Sequence, residues 1–198
     1  MKKIAITGNI AAGKTTVENI IKDNGYKVID ADKICHDALE NDKNIISEIK
    51  NIFKNFDITD NNGNLDRIKI GNIVFKNIEY KKQLEEILHP FVKEKINIFF
   101  EQNINEIFVF ASIPLLFETH MENNFDKIIF VAADENIRLE RIIKRNNCTQ
   151  TQALARIKSQ MLQDKKIELS DFVINNNGSL EVLQANTNQV LKDLNNLS

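Results

Sequence analysis

The first apolar run is short and ends in polar residues. Lys3 to Thr7 reads as a β-strand, and Val17, Ile20 and Ile21 then recur at helical spacing until Asn24-Gly25 stops the helix. Lys27-Val28-Ile29-Asp30 follows as a second strand. This succession predicts a βαβ unit whose right-handed crossover sets both strand ends on one edge of a parallel sheet, the edge at which ligands bind. Ile107 to Ala111, Lys127 to Ala132 and Asp171 to Ile174 are three further apolar runs bounded by polar residues and separated by helical stretches. Five strands alternating with helices predict an α/β chain on a five-stranded parallel sheet.

Two stretches interrupt the alternation. From Ile34 to Glu101 the pattern is mostly helical, with Leu84, Ile87, Leu88, Phe91, Val92, Ile96 and Phe99 on one stripe and Asp60-Asn61-Asn62-Gly63 as a turn. Pro90 should kink that long helix or begin a new one. Between Ile137 and Lys166, Arg138, Arg141, Lys144, Arg145, Arg156, Lys158, Lys165 and Lys166 gather with few aromatics.

Composition narrows the classes. With 198 residues the chain has room for one sizeable core, and 42% hydrophobic and 27% charged residues at a net charge of −2 argue against broad binding to nucleic acid or an anionic membrane. Met1-Lys2-Lys3 is followed by an apolar stretch too short for a signal core or membrane span, so a cytoplasmic protein is expected, working as a monomer. Cys35 and Cys148 are far apart and read as free thiols, and no two histidines stand at metal-ligand spacing, so zinc is not supported.

Gly8-Asn9-Ile10-Ala11-Ala12-Gly13-Lys14-Thr15 fits G-x-x-x-x-G-K-[ST], placed after a strand and opening a helix. Loop amides and the positive end of the helix dipole then face one concavity suited to phosphate. Lys14 reaches the β- and γ-phosphates of a nucleotide triphosphate, and the Thr15 hydroxyl takes one position on Mg²⁺. Gly8 to Thr16 is the expected ATP-binding stretch. Asp30-Ala31-Asp32 ends the second strand, where a carboxylate can accept a hydroxyl proton, help hold Mg²⁺, or simply cap the next helix. Arg138, Arg141 and Arg145 share a helical face, which suits either a solvated surface or a lid that neutralises a transferring phosphoryl group. His89-Pro90 reads as a helix start with a polar cap.

Taken together, these residues resemble the dephospho-CoA kinase family over nearly the whole chain. The marks are the phosphate loop, Val28-Ile29-Asp30-Ala31-Asp32, Leu65-Asp66-Arg67, Val74-Phe75, Leu84-Glu85 with His89-Pro90, Pro114-Leu115-Leu116-Phe117-Glu118, the arginines of 138-RLERIIKR-145, 153-ALARIKSQ-160 and 173-VINNNG-178. The resemblance implies a three-layer P-loop fold: a nucleotide-binding core over 1–33, 104–136 and 167–198, a helical acceptor-binding region over 34–103, and a helical lid over 137–166. It implies that ATP and Mg²⁺ serve phosphorylation of the ribose 3′-hydroxyl of dephospho-CoA, the last step of coenzyme A synthesis. On that pattern Asp32 is the base, Lys14 and Arg141 act on the phosphates, Arg145, Asn176 and Gly178 lie by the ATP, and His89, Pro90 and Leu115 join Asp32 on the acceptor side.

The chain departs from the family at several positions. Asn9, Ala11 and Ala12 stand where Gly or Ser is common, and their side chains should keep those positions out of glycine-only backbone angles. His36 stands where the family often has Arg, Ser112 where many members have an acid, and Ser170 where Ala is common. The rival readings are another small-molecule or nucleoside monophosphate kinase of this fold, a partner-driven ATPase, and a GTP switch. The last would use Asp60-x-x-Gly63, but no Asn-Lys-x-Asp guanine reader accompanies it.

Overall fold

Strand β1 (Lys2–Gly8) carries Ile4, Ala5, Ile6 and Thr7, all fully buried, so it has no face to give to water and can only sit inside a sheet. In the computed structural model, which describes residues 1–196, it is flanked by β3 (Phe108–Ser112) and β4 (Lys127–Ala132). β2 (Lys27–Asp30) and β5 (Phe172–Asn175) form the edges, giving the order β2-β3-β1-β4-β5. Every pairing is parallel, with Ile6 opposite Ser112 on one side and Ile129 on the other. Two expected strands slide by one residue. Ile107 remains 64% exposed and outside β3, and Asp171 precedes β5, using its carboxylate to accept from the Ile128 amide at 2.8 Å. The last two residues of the expected 167–198 core segment lie outside the described residues.

Helices α1 (Lys14–Asp23) and α9 (Leu180–Asn196) bury Val17, Ile20, Ile21, Leu183, Val190, Leu191 and Leu194 in one cluster with Ile4, Ile6, Phe108 and Phe110. Each such side chain contributes about 1.5–3 kcal/mol by leaving water. Gly25 at φ +88° ends α1 as the Asn-Gly pair predicts. The basic stretch forms α6 (Glu135–Asn146), α7 (Gln150–Lys158) and α8 (Gln163–Glu168). Ile142, Ala153 and Ile157 from α6 and α7 pack together against Ile10 and Ala11 of the phosphate loop. These elements belong to one unit, Met1–Asp30 with the chain from Gln102 onward, and Ala31–Glu101 forms a second.

The second unit contains α2 (Ala31–Asn41), α3 (Lys43–Ile52), α4 (Arg67–Lys76) and most of α5 (Ile78–Gln102). Asp42 and Asp66 cap α3 and α4, each accepting from two first-turn amides. No new helix starts at Pro90, since α5 runs through it as one helix. Glu86, His89 and Pro90 are all exposed, so the proline sits on the solvent side of the helix, where its missing donor costs least. Asp60 is spent on its own turn, accepting from the Asn62 and Asn64 amides at 2.8 and 2.9 Å, with Gly63 at φ +83°. The Asn64 amide above all holds that carboxyl below its ordinary range. The core is Ala38, Ile45, Ile49, Phe53, Ile58 and Ile70, with Tyr80 stacked on Phe53 at 5.3 Å. Phe53→Ala is therefore expected to destabilise the protein by about 3–5 kcal/mol in urea titrations, since it removes a fully buried ring and its aromatic partner.

Candidate active site

Gly8 ends β1 and Lys14 opens α1, so Asn9 to Gly13 must turn the chain within one short loop. Ala11 at φ +61° and Gly13 at φ +98° supply the left-handed bends. Ala11 thus adopts an angle that its side chain was expected to avoid. Its Cβ strain is carried by the surrounding contacts, since Ile10 and Ala11 pack on the α6–α7 cluster. Helix α1 has no side-chain cap, which leaves its first amides and the positive end of its dipole to an anion.

Side chains from far along the sequence hold the loop. Asn176, 7% exposed just past β5, donates from Nδ2 to the Ala12 carbonyl at 2.7 Å while its own amide bonds the Ala132 carbonyl. Arg141 donates from Nη1 to the Ala11 carbonyl at 3.3 Å and from Nη2 to the Asn176 carbonyl at 3.1 Å. A Cβ on Gly13 would lie 2.0 Å from Asn176 Nδ2, so this position needs glycine for space as well as for its angle. On the other flank the Ile10 amide donates to Gln160 Oε1 at 2.7 Å, and Asn9 Nδ2 donates to the Met161 carbonyl at 3.1 Å. The Met161 amide in turn donates to Glu118 Oε1, which pairs at 2.7 Å with the fully buried ammonium of Lys166. The Pro114 to Glu118 stretch is thereby tied to the loop through Met161, just before α8.

The three arginines of α6 have three different surroundings. Arg138 is 4% exposed, and its Nε donates to the Ala133 carbonyl at the end of β4. Burial pulls its guanidinium below the ordinary value. Arg141 reaches the loop, and Arg145 is exposed with its Nε on Asn146 at 3.0 Å. Only Arg145 fits a solvated face.

Lys14 Nζ donates to Glu18 Oε1 at 2.8 Å and to Ser112 Oγ, and the Ser112 hydroxyl donates to the same Glu18 oxygen. Glu18 was not singled out by sequence reasoning, although the Lys-x-x-x-Glu spacing of 14-KTTVE-18, one turn apart beside apolar Val17 and Ile21, carries the signal. Thr15 is exposed and Thr16 half-buried at the start of α1. Gly178 lies two residues beyond Asn176, and Leu115 is 40% exposed after β3. Asp32 stands in the first turn of α2, two residues beyond the end of β2, and with His89 and Pro90 belongs to the second unit. Among the described residues no group of three His, Cys, Asp or Glu side chains gathers to hold a metal.

This geometry alone describes a nucleotide-binding loop, and the comparisons narrow it. Residues 2–181 match the family model for dephospho-CoA kinase. A dephospho-CoA kinase of Listeria innocua is 43% identical over 187 residues, covering 92% of this chain and 92% of its own. Among solved structures, TT1252 from Thermus thermophilus aligns with a TM-score of 0.83 at 33% identity over 98% of this chain and 97% of its own. The dephospho-CoA kinase from Campylobacter jejuni aligns at 0.71 and 32%, over 97% and 96%. A likeness that runs from Lys2 to Glu181, and does not stop at the loop that unrelated nucleotide-binding proteins share, makes this chain a member of the dephospho-CoA kinase family.

Proposed function

We propose that this protein transfers the γ-phosphoryl group of ATP to the 3′-hydroxyl of the ribose of dephospho-CoA, releasing ADP and coenzyme A. The observation that carries the reading is the family likeness over almost the whole length, joined to a phosphate loop held by Arg141 and Asn176. Loop amides and Lys14 bind the β- and γ-phosphates, and Arg141 adds positive charge where charge accumulates on the transferring group. Asp32 accepts the hydroxyl proton as the new oxygen–phosphorus bond forms and the bond to the β-phosphate bridging oxygen breaks. Arg145, Asn176 and Gly178 border the ATP on this reading, residues 137–166 act as a lid, residues 34–103 form the acceptor-binding region, and Asp32, His89, Pro90 and Leu115 are its acceptor-side residues. The reading includes a cytoplasmic monomer without a nucleic acid partner, on the ordinary composition and charge of the chain.

The residues also fit magnesium. The Thr15 hydroxyl opens α1 at the metal position of the loop pattern, and the buried Glu18 Oε2 has no hydrogen-bond partner among the described residues. Magnesium keeps most of its waters and needs few protein ligands, so a single hydroxyl and a nearby carboxylate suffice. When bound, it would neutralise charge on the β- and γ-phosphates.

Mass analysis after mixing the protein with Mg-ATP and dephospho-CoA, with adenosine and nucleoside monophosphates as parallel acceptors, should detect coenzyme A and no other phosphorylated product. Phosphate transferred to a nucleotide instead, or ATP consumed equally without any acceptor, would contradict the assignment. Asp32→Asn should lower kcat by about 10²–10⁴ with the ATP Kd nearly unchanged, the effect of losing a general base. Weakened ATP binding in that variant would instead assign the carboxylate to the metal. Gly13→Ala should cost ATP binding about 1–3 kcal/mol, or roughly ten- to a hundredfold in Kd by calorimetry, because its methyl group displaces Asn176 from the loop.

A further inference from the structure

Glu18 is 1% exposed, and a carboxylate so placed costs several kcal/mol unless its oxygens are satisfied. One of them is. Oε1 accepts from both the Lys14 ammonium and the Ser112 hydroxyl. Oε2 is buried and, among the described residues, accepts from no group. The pair therefore leaves two valences open at the head of α1. The Lys14 ammonium has three donors, of which two are committed to Glu18 and Ser112, so the third is free for a phosphate oxygen. Glu18 Oε2 has the opposite need, a donor or a cation.

The incoming triphosphate makes that need sharper. It brings several negative charges to a loop beneath which an anion is already buried, and Lys14 alone cannot balance both. Thr15, whose hydroxyl the loop pattern assigns to the metal, lies three residues before Glu18 on the same helix, and side chains at that spacing are neighbours. A magnesium ion retains waters whose hydrogens point outward as donors, which matches a carboxylate oxygen lacking one.

We propose that Glu18 is the positioning carboxylate of this phosphate site: through Oε1 it aims the Lys14 ammonium, and through Oε2 it accepts from the water shell of the divalent cation that accompanies the nucleotide. Ser112, at the end of β3, cannot carry the charge itself and acts as the bridge between the lysine and the carboxylate. The negative charge of the site thus comes from α1 and not from the end of β3.

The proposal rests on the kinase reading of the site, and its test separates the two. ATP affinity is measured by calorimetry with and without Mg²⁺ for the full chain, so no turnover is needed. The wild type should bind ATP more tightly with Mg²⁺; no ATP binding under either condition would remove the kinase reading itself. In Glu18→Gln, ATP without Mg²⁺ should bind as well or better, because a buried anion is gone, while the enhancement by Mg²⁺ falls about tenfold. Glu18→Gln combined with Ser112→Asp, which returns a carboxylate to the same cluster from β3, should recover most of that enhancement. Glu18→Asp keeps the charge but withdraws it by one methylene, and should lose part of the enhancement while remaining folded in thermal melts. A Glu18 that served only packing would weaken both affinities alike and leave the Mg²⁺ enhancement unchanged in every variant, and that result would overturn the proposal.

Discussion

The hydrogen bond from Asn176 to the carbonyl of Ala12 is a small interaction on which the phosphate loop depends. A loop that aims its amides at an anion must turn its carbonyls the other way, into the protein, where an unpaired one costs about 1–3 kcal/mol. Asn176 and Arg141 accept that task for Ala12 and Ala11, and Gln160 and Asn9 fasten the opposite flank. Because Gly13 has no Cβ, the amide of Asn176 can lie directly against the backbone it satisfies. The loop is thereby held in two left-handed bends before any ligand arrives, so little ordering remains to oppose binding.

The same bonds explain why the α6–α8 region is built as it is. Ile142, Ala153 and Ile157 give it an apolar underside that rests on Ile10 and Ala11, while Arg141 passes through to the loop carbonyls. Arg138, three residues earlier, is retained inside by the Ala133 carbonyl, and Arg145, one turn later, remains outside. A helix of high positive charge is therefore divided by burial into an anchor, a loop contact and a solvent-facing residue. Lys166 adds a second buried cation, matched by Glu118.

Electrostatically, the chain is nearly balanced overall, yet its site concentrates both signs within one turn of α1. Lys14 Nζ lies 2.8 Å from Glu18 Oε1 in a mostly buried position, and Glu18 tolerates burial because Lys14 and Ser112 share that oxygen.

The loop pattern and the α/β alternation were legible in the sequence because both are local. Glycine, lysine and threonine at fixed spacing define a turn, and the period of apolar residues separates strand from helix. The turn at Asp60 and the stop at Gly25 were legible for the same reason. Ala11 was misjudged, since nothing local to an alanine signals the left-handed angle it adopts where it packs on the α6–α7 cluster. The helix start expected at Pro90 was misjudged, because α5 continues through it on an exposed face where water can reach the backbone. What the tertiary structure alone decided are the pairings across distance: Asn176 with Ala12, Arg141 with Ala11, and Ser112 with the Lys14–Glu18 pair. Such partners are chosen by which strand ends become neighbours in the order β2-β3-β1-β4-β5, and that order is settled by burying sheet faces, an energy summed over the whole core and written at no single position.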